Sequence, residues 1–250
     1  GFQGKDVAIQ IYTAFAPMVH IGALERTATE LNLELVAVAA EPFAVARAVL
    51  GVDESPNYTV ILCDVGGGST DIAVVNDGGV EGTKCFGVAG RSFTKTIGGD
   101  LSIGYEAAEK LKLNIDGGKI KPNVLRTVNE SIDNTLDVWI SGVQLALSEF
   151  DAIDHLPNKF LLCGGGSSLG ALVDRLETSN WYKDLPFSRR PIIKHVRPSD
   201  VSGIEDETGE ITDHTLITAL GLLRVGYDTM ESVTGTKETF RDKIDRVLRI

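Results

Sequence analysis

The chain has 250 residues, of which 43% are hydrophobic, and a formal net charge of −11. This length can bury one large core or two modest ones, and the acidity argues against nucleic acid as a partner, because its phosphates would be repelled. The three cysteines lack a CxxC spacing and their odd number suits a reducing cytoplasm, while no apolar stretch is long enough to span a bilayer.

The first fifty residues predict two pairs of a strand and a helix. Apolar residues predict strands at 7–12 and 33–39, and helical spacing predicts helices at 17–31 and 42–50. The second helix has proline in its first turn, where the missing N–H costs nothing. The polar residues 53–57 then mark the best candidate for a domain boundary.

The rest of the chain alternates strands and helices. Strands are predicted at 58–63, 72–76, 80–87, 159–163 and 191–195, and helices at 92–113, 125–150 (one long helix or two), 169–176 and 213–228. The sequence Asp77-Gly78-Gly79 predicts a tight turn between the second and third of these strands. Such alternation predicts an α/β fold with a mostly parallel sheet that is covered on both faces.

The most informative segment is the glycine-rich run DVGGGSTD at 64–71, which lies between two predicted strands. This pattern predicts a β-hairpin whose bare backbone N–H groups can converge on an anion. Asp64, at the strand end, could hold a metal-bound water against a phosphate. A tight hairpin with incidental polar residues is the alternative. The candidate anion-binding residues are Gly66, Gly67, Gly68, Ser69 and Thr70.

A second glycine-rich turn follows the predicted strand 159–163 and precedes the helix at 169–176. Ser167 or Ser168 could cap that helix, and glycine allows a ligand to approach the backbone closely. An ordinary strand-to-helix turn is equally consistent with this motif taken alone. The candidate binding residues of this turn are Gly164, Gly165, Gly166 and Ser167.

Four motifs together resemble those of the actin-like ATPases, the superfamily of actin, DnaK-type chaperones and MreB. DVGGGSTD resembles the second phosphate motif and LLCGGGSSLGAL resembles the adenosine motif. EPFAVA, which begins at Glu41, resembles the connecting-helix motif, and TIGGD, which begins at Thr96, resembles the turn that follows the phosphate strands. The resemblance implies an actin-like ATPase (ribonuclease H-like) fold, in which nucleotide lies between two lobes.

The resemblance also implies Mg-ATP as the ligand and a role for each motif. Gly66 to Thr70 would hold the β- and γ-phosphates, and Gly164 to Ser167 would border the adenosine. Asp64 would hold Mg²⁺ through a metal-bound water, and Glu41 would polarise the attacking water. Glu109 and Lys110 match the family's AExxK-like helix and would flank the ribose and adenine, although a solvated helix face explains these two almost as well.

Residues 1–52 resemble only the C-terminal part of the first lobe, whereas residues 58–228 resemble the whole second lobe, with a helical subdomain at about 94–150. No phosphate hairpin of the first-lobe type precedes Glu41. The chain therefore resembles the C-terminal part of a longer protein, and we expect it to bind ATP weakly or not at all, because each lobe supplies part of the phosphate cage.

Within the superfamily, the nearest resemblance is to the bacterial cell-division family FtsA. The segment from Val60 to Gly90 and the AxGLL sequence that begins at Ala219 carry it. FtsA proteins end in an amphipathic membrane helix, and after the linker this chain has apolar residues at helical spacing within 229–250. A terminal helix packed on its own domain is the alternative reading of Phe240, Ile244, Val247 and Leu248.

The FtsA resemblance implies an ATP-binding protein that tethers and organises the division ring at the membrane. Its expected partners are an FtsZ-like tubulin homologue, further copies of itself in filaments, and the inner membrane surface through the C-terminal helix. The expected location is cytoplasmic, peripheral on the inner face of the cell membrane. The alternatives are a PilM-like pilus-assembly scaffold that binds ATP, or another actin-like ATPase with little turnover.

Overall fold

The computed structural model describes residues 13–50, 58–151 and 153–234. The helices are α1 (Met18–Glu30), α2 (Glu41–Leu50), α3 (Gly90–Leu101), α4 (Tyr105–Leu113), α5 (Pro122–Ser148), α6 (Gly170–Thr178) and α7 (Ile217–Thr234). The strands are β1 (Val60–Val65), β2 (Thr70–Asn76), β3 (Gly79–Phe86), β4 (Lys159–Cys163) and β5 (Ile192–His195). The predicted strand at 7–12, the boundary at 53–57 and the amphipathic segment after residue 234 lie outside the described residues.

The five strands form one sheet in the order β3-β2-β1-β4-β5. The prediction of a mostly parallel sheet was wrong for one half of it, because β1–β2 and β2–β3 pair antiparallel while β1–β4 and β4–β5 pair parallel. Short connections explain the antiparallel half, since parallel neighbours need a long crossover. In the second hairpin, Asp77 and Gly78 take φ values of 48° and 79°, as a tight two-residue turn requires.

Both faces of the sheet are covered, as predicted, because alternate residues of β1 enter two different cores. Ile61 and Cys63 pack with α3, α5 and α6, where Trp139 is fully buried. Val60 and Leu62 pack on the opposite face with residues of α2 and α7. Burial on both faces explains why β1 is an unbroken apolar run up to Asp64.

Two predicted elements differ from the structure. The helix predicted at 92–113 is divided into α3 and α4, since Ser102 takes a left-handed φ of 53° and ends the first helix. The strand predicted at 33–39 is not formed, and no strand among the described residues pairs with it. A strand needs a neighbour for its backbone N–H and C=O groups, so apolar composition alone cannot produce one. The long helix predicted at 125–150 is confirmed as α5, a single helix.

Helices α2 and α7 pack in direct backbone contact. A Cβ added at Gly221 of α7 would lie 2.1 Å from the carbonyl oxygen of Ala44 in α2, so glycine permits the close approach. Beside this contact, Asp228 accepts hydrogen bonds from Arg47 of α2 and Arg224 of α7. In the described part of the chain, no helix combines the length and apolar character needed to cross a membrane.

Candidate functional site

A cavity of about 450 Å³ opens between the two glycine-rich turns, beside the first residues of α3 and the whole length of α4. It therefore joins segments that are about 100 residues apart in the sequence. Its lining residues are Gly66, Gly67, Gly90, Arg91, Phe93, Tyr105, Glu109, Lys112, Leu113, Ile115, Asp116, Gly165, Gly166, Ser168, Leu169 and Gly170.

The first turn, residues 66–69 (the phosphate turn below), is fixed by its own backbone and by α3. The Gly66 N–H donates to the Ser69 carbonyl at 3.0 Å, which closes the hairpin. The N–H groups of Gly90 and Arg91 donate to the carbonyls of Gly66 and Gly67 at 3.1 and 2.7 Å. Within the described residues, no acceptor is found for the N–H groups of Gly67 and Gly68. These two donors are available to an anion.

The second turn touches the phosphate turn through backbone atoms. Gly164 has a φ of +79°, and a Cβ added there would lie 2.1 Å from Oδ1 of Asp64. A Cβ at Gly166 would lie 2.6 Å from the carbonyl oxygen of Gly66. Neither position can accept a side chain without movement of its neighbours, so both glycines are required for the contact between the turns.

Two histidines that the sequence motifs do not include support the second turn. The His195 and His214 rings stack with centroids 3.8 Å apart. Nε2 of His195 lies 3.0 Å from the Ser167 carbonyl oxygen, and the Gly164 N–H donates to the His214 carbonyl at 3.1 Å. Burial is the main cause that lowers the pKa of His214, and the neighbouring His195 lowers it further. The neutral form of the His214 ring behind the turn is therefore favoured.

Three hydroxyl groups that were expected near the ligand have partners within the protein. The Thr70 hydroxyl is fully buried, donates to the Val88 carbonyl at 2.8 Å and accepts from the Trp139 indole at 2.9 Å. The Ser167 hydroxyl is also buried and donates to the Gly164 carbonyl at 2.7 Å. The Ser69 hydroxyl donates to Asp71 at 3.1 Å. Neither Ser167 nor Ser168 caps α6, whose N-cap residue is Leu169.

The α4 wall of the cavity contains Glu109 and Lys112, whereas Lys110 is exposed and lies outside the cavity. Helical geometry explains this placement, because residues three apart share a face and adjacent residues do not. The Lys112 ammonium lies 2.9 Å from Glu109. Although partial burial raises the pKa of Glu109, hydrogen bonds from Thr94 and Lys112 hold it below the ordinary value.

Three carboxylates lie near the phosphate turn but outside the cavity lining. Asp64 is only 8% exposed and accepts a hydrogen bond from the Thr218 hydroxyl. Burial raises the pKa of Asp64, the Thr218 hydroxyl opposes this rise, and Asp71 adds to it. Burial, followed by Asp71 and Asp64, also raises the pKa of Glu41, which borders a neighbouring hollow with Asp71. Among the described residues, none of these three groups forms an ion pair, and together they make a patch of negative charge.

The structure thus brings Gly66, Gly67, Gly165, Gly166 and Glu109 together around one cavity, with Asp64 and Glu41 close behind the first turn. This arrangement and the sheet order define an α/β protein with the actin-like ATPase fold. Solved structures of the same superfamily align with it. The "PilM-PilN type IV pilus biogenesis complex" aligns with a TM-score of 0.61 and 21% identity, over 82% of this chain and 57% of that chain.

The structure titled "Crystal structure of MreB5 of Spiroplasma citri bound to ADP" aligns with a TM-score of 0.54 and 19% identity, over 88% of this chain and 68% of that chain. At such identities, both likenesses show the fold alone. The pilus-assembly alternative therefore gains no more than the shared fold from its structural neighbour.

The family model described as "Cell division protein FtsA" matches residues 61–221, and the chain belongs to the FtsA family. FtsA of Buchnera aphidicola (strain APS) is 26% identical over 223 residues, which cover 78% of this chain and 50% of that protein. FtsA of Pseudomonas aeruginosa is 28% identical over 196 residues, which cover 71% of this chain and 47% of that protein. The chain spans about half the length of these curated relatives. The predicted resemblance to FtsA is confirmed.

Proposed function

We propose that this chain forms the second lobe, and the last part of the first lobe, of an ATP-binding protein of bacterial cell division. Residues 58–228 would form the second lobe, with 94–150 as its helical subdomain, and residues 1–52 would belong to the first. The observation that carries the proposal is the contact of two glycine turns around one cavity, with Glu109 and Lys112 on its wall. The cell-division relatives and the ADP-bound MreB5 structure support it.

In this proposal the cavity holds an adenine nucleotide. The N–H groups of Gly67 and Gly68 would donate to phosphate oxygens, because they lack acceptors within the described chain. Gly165 and Gly166 would border the adenosine, and Glu109 would accept hydrogen bonds from ribose hydroxyls. The apolar side chains of Leu113 and Leu169 provide a surface for the flat base.

The carboxylate patch fits Mg²⁺ bound through water. In the described part of the chain, no three side chains are placed to form a direct metal cage. Mg²⁺ usually keeps several waters and is held by one or two carboxylates together with the phosphates of the substrate. Asp64 would hold such a water, and a bound cation would favour its charged form against the burial and the Asp71 charge that raise its pKa. Glu41 would orient the water that attacks the terminal phosphate.

Nucleotide binding tests the cavity directly. Lys112→Ala is expected to reduce affinity for Mg-ATP about ten-fold or more, because Lys112 holds Glu109 and the start of α3 in place at the cavity wall, and loss of such charge-assisted hydrogen bonds costs about 1.5–3 kcal/mol. Lys110→Ala is the matched control and should leave affinity unchanged. The measurement is a titration of the isotope-labelled chain followed by amide NMR, which detects weak binding. Equal effects of the two substitutions would contradict the placement of the nucleotide beside α4.

Asp64 and Glu41 are expected to affect different steps in a protein that contains both lobes. Asp64→Ala should weaken Mg²⁺-dependent nucleotide binding, and this binding should weaken as pH falls through the raised pKa of Asp64. Glu41→Ala should preserve binding and slow phosphate release, since the side chain acts mainly in the transition state. Separate binding and phosphate-release assays distinguish the steps, and a reversed pattern would contradict both roles.

We further propose that the protein tethers and organises the division ring at the inner membrane surface. Self-association into filaments and binding to an FtsZ-like tubulin homologue would serve this role. Family membership supports the proposal, as does the sequence of residues 237–250, in which Phe240, Ile244, Val247 and Leu248 recur at helical spacing among basic residues. Such a short apolar face gives weak membrane binding, which copies in a filament would reinforce.

Sedimentation with anionic vesicles tests the tether. Phe240→Glu is expected to release the protein from vesicles with almost no change in its melting temperature, because a charged residue cannot enter the apolar interface. Thr239→Glu introduces the same charge about 100° around a helix from Phe240, outside the apolar face, and should retain most of the binding. If Phe240→Glu instead lowers the melting temperature and leaves vesicle binding unchanged, the segment packs on its own domain.

A further inference from the structure

The phosphate turn lies in a negatively charged environment. Burial raises the pKa values of Asp64 and Glu41, and neighbouring carboxylates raise them further, Asp71 in the case of Asp64 and both Asp71 and Asp64 in the case of Glu41. The cavity wall adds the carboxylates of Glu109 and Asp116. A ligand with several phosphate groups therefore needs a positive charge at the turn as well as N–H donors. Two basic side chains line the cavity among the described residues, and they are Arg91 and Lys112.

Lys112 has no donor left for a ligand. Its ammonium group has three N–H bonds, and it lies within hydrogen-bonding distance of three acceptors. These are the Gly90 carbonyl at 3.0 Å, the Thr94 hydroxyl at 2.9 Å and the Glu109 carboxylate at 2.9 Å. Lys112 therefore joins α4 to the start of α3, and Glu109 neutralises its charge. Its contribution to ligand binding is to hold the wall in place.

Arg91 differs from Lys112 in every one of these respects. Its guanidinium makes no hydrogen bond or ion pair with any described residue, and the residue is exposed. The guanidinium lies across the phosphate turn, with Nε 3.5 Å from the position of a Cβ at Gly67 and Nη1 3.7 Å from that at Gly68. The Arg91 N–H is anchored to the Gly67 carbonyl at 2.7 Å. An unpaired cation is thus held against the two backbone donors that are available to an anion.

We infer that Arg91 binds the terminal phosphates and makes the site selective for nucleoside di- and triphosphates over monophosphates. The inference rests on the proposed nucleotide site and adds to it the residue that determines phosphate number. A guanidinium can donate two parallel hydrogen bonds to a phosphate, which gives both affinity and orientation. Because Gly67 and Gly68 carry no side chains, the guanidinium lies close to the two backbone N–H groups, and both kinds of donor can reach the same phosphate.

The test compares ATP and ADP, each with Mg²⁺, against AMP and adenosine in amide NMR titrations of the wild-type chain and three variants. Arg91→Gln is expected to lower affinity for ATP and ADP about ten- to a hundred-fold and to leave adenosine affinity unchanged. Arg91→Lys should fall in between, because it keeps the charge and loses the paired geometry. Lys95→Gln, an exposed position on α3 outside the cavity, is the control and should match the wild type.

Arg91→Gln should also melt at the wild-type temperature, because its guanidinium has no partner in the described fold to lose. An unchanged ratio of ATP to AMP affinity in Arg91→Gln would overturn the inference alone, since the nucleotide site would still exist. Failure of both the wild-type chain and a protein that contains both lobes to bind any of the four compounds at millimolar concentration would overturn the proposed site and the inference together.

Discussion

Replacing Asp228 by alanine is expected to lower the free energy of unfolding by about 3 kcal/mol, toward the lower end of the range for breaking a buried ion pair. The side chain of Arg224 is only 3% exposed, and its Nε lies 3.0 Å from Oδ1 of Asp228. After the substitution its one remaining hydrogen bond in the described structure is to the Ser202 carbonyl at 3.1 Å. The cost is large because a buried charge without a counter-ion retains its desolvation penalty.

This loss of stability is expected to be larger than the loss caused by breaking an ordinary surface ion pair. Because Asp228 is about one-quarter exposed, we do not expect its removal to reach the largest costs observed for buried ion pairs. Glu130→Ala is the matched control on α5, since Glu130 and Arg126 form an exposed pair 3.8 Å apart. We expect the control to change the free energy of unfolding by less than about 1 kcal/mol. Urea denaturation measures both, and similar midpoints would show that Arg224 finds another partner.

The second large effect is expected at the contact between the two glycine turns. Gly164→Ala should destabilise the protein by about 3 kcal/mol, the combined cost of a left-handed backbone and overpacking. The new methyl group would lie 2.1 Å from Oδ1 of Asp64 and 2.6 Å from the Val65 carbonyl oxygen. The strand end and the second turn must separate to accommodate it, so we also expect loss of nucleotide binding.

Gly165→Ala is the control for Gly164→Ala. No atom lies within 4 Å of the position of a Cβ at Gly165, and its φ is not left-handed. Its free energy of unfolding should therefore change by less than about 0.5 kcal/mol, as for most substitutions at open surface positions. Thermal or urea unfolding compares the two variants. An equally stable Gly164→Ala protein would mean that the turns are not in the contact described.

Much of the fold could be predicted from sequence because its signals are local. The alternation of strand-like and helix-like segments along the chain predicted every strand of the sheet, and the glycine-rich run predicted the β1–β2 hairpin. The strand expected at 33–39 is not formed, because a strand depends on neighbouring strands that its own residues do not specify. The split of the helix at 92–113 depends on the backbone angle of Ser102.

The candidate site was predicted less completely, because side-chain partners are set by the three-dimensional arrangement. Glu109 was predicted, yet Lys110 was chosen where Lys112 lines the cavity, although the three-residue spacing from Glu109 was a usable signal. Thr70 and Ser167 were expected to face a ligand, but their hydroxyls bond within the core. Nothing in the sequence distinguished Arg91 from other surface basic residues, since its position over the turn depends on how α3 begins.

Helix α7 extends from the neighbourhood of Asp64, past α2, to Thr234. Close to its first residue, the Thr218 hydroxyl donates to Asp64, and its middle touches α2 at Gly221. Its 18 residues extend about 27 Å, at the usual rise of 1.5 Å per residue. A displacement of Thr218 that leaves the helix intact can be transmitted along α7 as far as Thr234. The carboxylate beside the phosphate turn and the C-terminal end of α7 are therefore connected through one continuous helix.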